Sequence, residues 1–342
     1  MTIAPPTPLP QRRIGPFAVS SIGLGCMNLS HAYDVAPTEE EGARLLNEAL
    51  DRGCTLLDTA AIYGTGANER LLGRAVMHRR REFVLASKCV LDLVDGKRVL
   101  DGRPEAIRRS CEAALARLRT DVIDLYYLHR LDRDVPIEDS VGALAELVAE
   151  GKIRTIGLSE MSAATIERAH AVHPIAAVQS EYSLVVRNPE VAVLAACERL
   201  GIAFVAFSPL ARGLLAGGIA SGTEFVPNDI RRTMPRFVGP ALEANLQRIG
   251  TLASIAGRAG CTIGQFALAW LLARSPAIVA IPGTRSIGHL AANLAAATLE
   301  PDPALLAEAD ALLPPNALHG ARYAAAAQAQ IETELLPGEE LA

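Results

Sequence analysis

Side chains of four different chemistries stand where apolar runs of this chain end. Leu56-Leu57 stops at Asp58, Phe83–Ala86 runs into Ser87-Lys88, Val122–Leu128 ends at His129, and Tyr63 follows Asp58 five residues on. A carboxylate at the end of a buried strand is costly unless that end opens on a polar site. A free phenol titrates at ~10, too high for efficient proton transfer at neutrality. A Lys ammonium beside it favours the phenolate, and a carboxylate keeps that Lys charged and oriented. Asp58, Lys88 and Tyr63 therefore predict a tyrosine general acid whose pKa the Asp58–Lys88 pair lowers. His129 is expected to orient a carbonyl oxygen or to join the proton relay. Taken singly, each has an ordinary use: Asp58 as a helix cap, Tyr63 as a packing ring, Lys88 as a solvated charge, His129 as a capped side chain. Their coincidence at neighbouring strand ends carries the inference.

The elements that must bring them together follow a strand–helix rhythm. Arg12 to Met27 reads as a short hairpin turning near Gly15-Pro16 and leading into a first strand, Ile22–Gly25. Thr38–Arg52 opens on a capping-box pattern, and Pro104–Leu118 sets Ile107, Cys111, Ala114, Leu115 and Leu118 at helical spacing. Further strands are read at Thr55–Leu57, Phe83–Ala86, Val122–Leu128, Ile153–Leu158, Ala177–Gln179, Ala203–Phe207 and Ile278–Ile281. Helical patterns lie between them, with a long Gly/Pro-containing segment over 211–240 and an extra helix before the last unit. Near-continuous apolar strands alternating with amphipathic helices mean a parallel sheet covered by helices. A doubly wound sheet is the alternative, but Gly23-x-Gly25 lacks the third glycine of a dinucleotide-binding turn and opens no helix. The expected architecture is α/β: a (β/α)8 TIM barrel with an N-terminal β-hairpin, extra helices and long loops at its C-terminal face, where such barrels build their sites. A single domain is expected over 1–342, with 1–11 disordered and 300–342 lying over the barrel.

With 342 residues, 50% hydrophobic and 21% charged, the chain has ample material for one such core. A net charge of −5, with no basic run beyond His78–Arg81, argues against a nucleic-acid partner. The proline-rich start lacks the regions of a secretory signal, and no apolar run approaches the ~20 residues that span a bilayer. Six scattered cysteines without a C-x-x-C pair read as reduced thiols, so a cytoplasmic location and no membrane partner are expected. His129 has no histidine at ligand spacing, and no metal is expected.

The same residues resemble the aldo-keto reductase family. Asp58, Tyr63, Lys88 and His129 match its catalytic tetrad. The surrounding text is similar too: Leu57–Ala60, Tyr63-Gly64, Asn68-Glu69, Asp124–His129, Gly157–Ser159 and Ile281–Thr284. Gly157–Glu160 and Gln179–Leu184 look most like the bacterial and fungal branch that includes pyridoxal reductases. The resemblance implies hydride transfer between NADPH, with NADH possible, and a small-molecule carbonyl or alcohol, by a monomer or homo-oligomer. Ser159 and Gln179 match positions that hold the nicotinamide carboxamide, and Phe207 one where many relatives stack a Tyr on the nicotinamide. Ser208, Leu210 and Arg212 match a loop folding over the pyrophosphate. The adenosine end would be Gly283, Thr284, Arg285, His289 and Asn293. Gly283 and His289 stand where many relatives carry Lys and Arg, which leaves the 2′-phosphate to Arg285. Ala292 removes an expected adenine contact, and Glu160 replaces the Asn common in the wider family. The substrate pocket is expected among Met27, Asn28, His31, Tyr33, Ile62, Val90 and the long loops.

Two other readings compete. A Schiff-base aldolase or isomerase would use Lys88 as nucleophile, but needs that Lys desolvated with no carboxylate holding it protonated; Asp58 opposes this. A cofactor-binding regulatory subunit with slow turnover would keep the same fold and the same quartet.

Overall fold

The computed structural model describes residues 9–30 and 32–342. Most of the stretch expected to be disordered, residues 1–8, and the pocket candidate His31 lie outside the described residues. Leu9 packs against the core and Gln11 already belongs to a strand.

Strands β1 (Gln11–Ile14) and β2 (Phe17–Ser20) pair antiparallel through a turn at Gly15, whose φ is +51. Gly15 abuts Ala176 and Thr155, and Ile14 and Val19 join the inward-facing residues of the barrel strands, so the hairpin plugs the barrel floor. The chain then forms β3 (Leu24–Gly25), β4 (Leu56–Asp58) and β5 (Val84–Cys89), a hairpin β6 (Leu91–Val94) and β7 (Lys97–Leu100), then β8 (Ile123–Leu128), β9 (Ile153–Ser159), β10 (Ile175–Glu181), β11 (Ala203–Phe207) and β12 (Ile278–Ile281). Eight of these make one parallel sheet in the order β12-β11-β10-β9-β8-β5-β4-β3. The ring closes through Gly23 N to Ala280 O at 2.8 Å, Ala280 N to Ser21 O at 3.0 Å, and a bridge between Gly25 and Gly283. This is the expected TIM barrel. Inside it, Tyr127 faces Gly157 of β9; a Cβ there would sit 2.3 Å from the ring, so glycine alone lets the ring lie across the barrel.

The helices follow from local signals. Thr38 and Glu41 complete a capping box on α1 (Glu39–Asp51). After α2 (Ala67–Ala75), α3 (Pro104–Leu118) starts on its proline and buries four of the five residues set at helical spacing, with Leu115 half-buried. Next come α4 (Ile137–Ala149), α5 (Ala163–Val172) and α6 (Val193–Leu200). The chain after 238 forms two helices, α7 (Gly239–Gly250) and α8 (Leu252–Arg258), broken where Gly250 weakens the backbone and Thr251 Oγ1 turns back to Arg248 O at 2.5 Å. After α9 (Ile263–Ala273), α10 (Ile287–Ala295) and α11 (Pro303–Leu312), an alanine-rich stretch over 321–330 holds only the short α12 (Ala325–Gln328). Its flanks are drawn inward at Arg322, Tyr323 and Ile331, all buried, and tertiary burial overrides alanine propensity.

The C-terminal segment ties back onto the barrel. Glu332 N donates to Glu160 O at 2.9 Å and Thr333 Oγ1 to the Glu160 carboxylate at 2.8 Å. Glu332 accepts from Ser162 N at 3.2 Å and Glu334 from Ala163 N at 2.7 Å, which sets two carboxylates on the N-terminus of α5. Among the described residues no single helix is long and apolar enough to cross a membrane.

Candidate active site

Adjacent strand ends bring the quartet together. Lys88 Nζ donates to Asp58 Oδ1 at 2.5 Å, to Thr59 O at 2.8 Å and to Tyr63 Oη at 3.4 Å. The other Asp58 oxygen accepts from Gln179 Nε2 at 2.8 Å, across the barrel. Burial opposes the Lys88 charge, yet Asp58 and Tyr63 outweigh it and hold the ammonium above its usual pKa. The Tyr63 ring meets the His129 ring nearly perpendicularly, centroids 6.0 Å apart.

The Tyr63 loop is fixed from beneath. Asn68 accepts from Thr59 Oγ1 at 2.7 Å and donates to Cys26 O at 2.8 Å and Ser30 Oγ at 2.9 Å. Glu69 takes Ser87 Oγ and Arg117 Nε, both at 2.6 Å. These two motif residues are structural supports. Cys26, whose N–H donates to Asp58 O at 2.8 Å, and Cys89, which follows Lys88, are fully buried, with burial pushing both thiols up from their usual pKa.

One expectation is corrected. Tyr63 does not have a lowered pKa: burial raises it more than the Lys88 charge lowers it, with Asp58 adding to the rise, so the phenol keeps its proton. His129 is pushed well below its usual value by burial and by Arg130, Lys88 and Arg98, and is neutral. Its Nδ1 is buried without a partner among the described residues.

A cleft of about 790 Å³ opens above Asp58, Tyr63 and His129. It passes Ser159, Gln179 and Phe207, then Ser208, Leu210 and Arg212, and ends at Gly283, Thr284, Arg285 and His289. Asn293 is not in the lining; it is buried on α10. Met27, Asn28, Tyr33 and Ile62 line the opposite wall. Val90 does not: it takes a left-handed φ of +77 and packs into the core, and Leu91 forms the wall in its place. The donor set fits a nicotinamide dinucleotide, with a hydroxyl and an amide beside the quartet, an aromatic wall at Phe207, and a guanidinium at the far end.

The sequence profile of the Aldo/keto reductase family matches residues 21–313. The chain belongs to the aldo/keto reductase family. Aldo-keto reductase str7 of Strobilurus tenacellus is 42% identical over 303 residues, covering 86% of this chain and 88% of that protein. Among solved structures, a glycerol dehydrogenase from Gluconobacter oxydans superposes with a TM-score of 0.82 at 30% identity, over 89% of this chain and 94% of that one. An aldo-keto reductase from Klebsiella pneumoniae in complex with NADPH gives 0.70 at 29% identity, over 90% and 96%.

Three residues of this aldo/keto reductase are occupied otherwise than the sequence suggested. Arg212 donates to Glu181 at 3.0 Å, Tyr323 Oη at 2.9 Å and Tyr33 Oη at 3.2 Å, so its charge is already met. Arg285 donates to Asp34 at 2.9 Å and to Val35 O. Glu160, at φ +55, turns from the cleft; its carboxylate accepts from Glu181 N at 2.7 Å and from Thr333. The sequence reading missed Arg130, which contacts Ser159 Oγ at 3.2 Å, and the β6–β7 hairpin that brings Lys97 and Arg98 to the cleft. Asp95-Gly96, both at positive φ between Leu/Val-bearing flanks, was the available hairpin signal.

Proposed function

We propose that this aldo/keto reductase interconverts an aldehyde or ketone with its alcohol using NADPH, with Tyr63 as the general acid. The observation that carries the reading is Lys88 Nζ bridging Asp58 and the Tyr63 hydroxyl in a buried site. Bound NADPH supplies the hydride. Tyr63 keeps its proton until a carbonyl oxygen arrives, then gives it up; the Lys88 ammonium stabilises the phenolate left behind, and Asp58 keeps Lys88 charged. Neutral His129 offers an N–H to orient the carbonyl oxygen. Ser159 and Gln179 would hold the carboxamide, Phe207 would face the nicotinamide, and Ser208 and Leu210 would border the pyrophosphate. Arg285 would bind the 2′-phosphate in exchange for Asp34, as a bidentate guanidinium can; NADH would lack this contact.

The ion pair on Lys88 opposes the Schiff-base reading, since the amine is held protonated. We read the chain as one domain with its C-terminal segment as part of the cleft, and six free cysteines support a cytoplasmic home. Replacing Tyr63 by Phe is expected to lower kcat for NADPH-dependent aldehyde reduction by about 10²–10⁴-fold, with NADPH affinity retained. Wild-type turnover in Tyr63→Phe would remove the acid assignment.

A further inference from the structure

The cations of the cleft fall into two sets. Arg212, Arg231 and Arg285 each meet a carboxylate: Glu181 at 3.0 Å, Asp229 at 2.6 Å and Asp34 at 2.9 Å. Lys97, Arg98 and Arg130 line the same cleft and pair with no carboxylate among the described residues. The lining itself offers none. Its one carboxylate is Asp58, whose two oxygens are taken by Lys88 and Gln179. Arg130 uses only Nη1, to His129 O at 2.5 Å and Ser159 Oγ at 3.2 Å, which leaves Nε and Nη2 without a protein partner among the described residues.

Position decides what these charges serve. Arg98 lies on β7 opposite Leu93, so it shares the hairpin face of Leu91, which walls the cleft. The hairpin springs from β5, and Arg130 follows β8, the neighbour of β5 in the ring. The loops expected to hold the phosphates of the cofactor follow β11 and β12, on the other side. The unpaired guanidinium groups therefore stand beside His129, at the reacting end. Arg98, Arg130 and Arg212 line one cleft as like charges, so an anion arriving beside Arg98 and Arg130 is met by charge the protein leaves uncompensated.

We propose that Arg98 and Arg130 bind an anionic group of the substrate, a carboxylate or a phosphate, so that this reductase prefers acidic carbonyl compounds to neutral ones. The class of substrate rests on the carbonyl-reduction reading above; the anion site does not.

Calorimetric titration at low salt tests the site with two matched pairs: 4-carboxybenzaldehyde against 4-formylbenzamide, and glyceraldehyde 3-phosphate against glyceraldehyde. Wild type is expected to bind the anionic member of at least one pair about tenfold more tightly, the size of one charge-assisted hydrogen bond. The pair that shows the preference names the anion. Arg98→Glu should abolish it and Arg98→Lys should keep part of it. Equal affinities within both pairs in wild type, or a preference that survives Arg98→Glu, would overturn the proposal. Steady-state kinetics on the same compounds separate the two readings. Preferential binding without NADPH oxidation would sink carbonyl reduction and leave the anion site standing. NADPH oxidation at equal kcat/KM for both members of each pair, with equal affinities, would sink the anion site alone. A rise in the KM for NADPH in Arg98→Glu, with the carbonyl pairs unchanged from wild type, would assign the cation to the cofactor and also overturn it.

Discussion

His129 is held neutral by burial and by three neighbouring cations, and this has a measurable sign. Its folded-state pKa lies below the unfolded value of ~6.5. Its contribution to stability is therefore complete above that value and is lost as pH falls, because unfolding then takes up a proton. Between pH 6.5 and 5, wild type should lose stability more steeply than His129→Asn, by up to about 1.4 kcal/mol per pH unit. Urea midpoints at stepped pH measure it, and parallel slopes would show that the imidazole titrates normally. That Asp58, Lys88 and His129 converge was legible because each ends an apolar run. The raised pKa of Tyr63 was not, since its burial is set by parts of the chain that only folding brings together. The partners of Arg212 and Arg285 escaped for the same reason: Tyr323 and Asp34 lie 111 and 251 residues away.

Among the elements, β9 shows how tightly the barrel interior is specified. Gly157→Ala would drive a methyl group into Tyr127, and an overpacked core of this kind costs roughly 1–3 kcal/mol. Chemical denaturation should show that loss, and the penalty should shrink in a Tyr127→Leu background; equal penalties in the two backgrounds would place the strain elsewhere. The strand–helix alternation was readable because buried parallel strands are continuous apolar runs and their helices carry caps. Thr38 with Glu41 and Pro104 are where those signals told most. The β6–β7 hairpin was missed because its residues are largely exposed, so no burial pattern marks it. A small exposed hairpin thus brings Lys97 and Arg98, two of the three cations in the cleft without a carboxylate partner among the described residues.

At the scale of the whole molecule, the C-terminal segment is part of the fold. Glu332 and Glu334 cap α5, Glu160 accepts from Glu332 and Thr333, and Tyr323, Gln330 and Ile331 line the cleft. Removing residues 331–342 should lower unfolding free energy by at least about 2 kcal/mol, the scale of two lost helix caps. A urea midpoint matching the full chain would show the segment to be dispensable. Residues 300–342 were expected over the barrel, but the partners that hold them at Glu160 and on α5 were not legible, because they join residues 170 to 173 positions apart. The thiols beside the quartet carry a further consequence. Aldehydes add to thiolates to give hemithioacetals, so an enzyme that processes them risks capture by its own reactant. Cys26, whose N–H donates to Asp58 O, and Cys89, which follows Lys88 in the chain, are both buried, and burial keeps both as thiols, the unreactive form. On the proposed reading, the protein works on an electrophile with these two neighbouring nucleophiles disarmed.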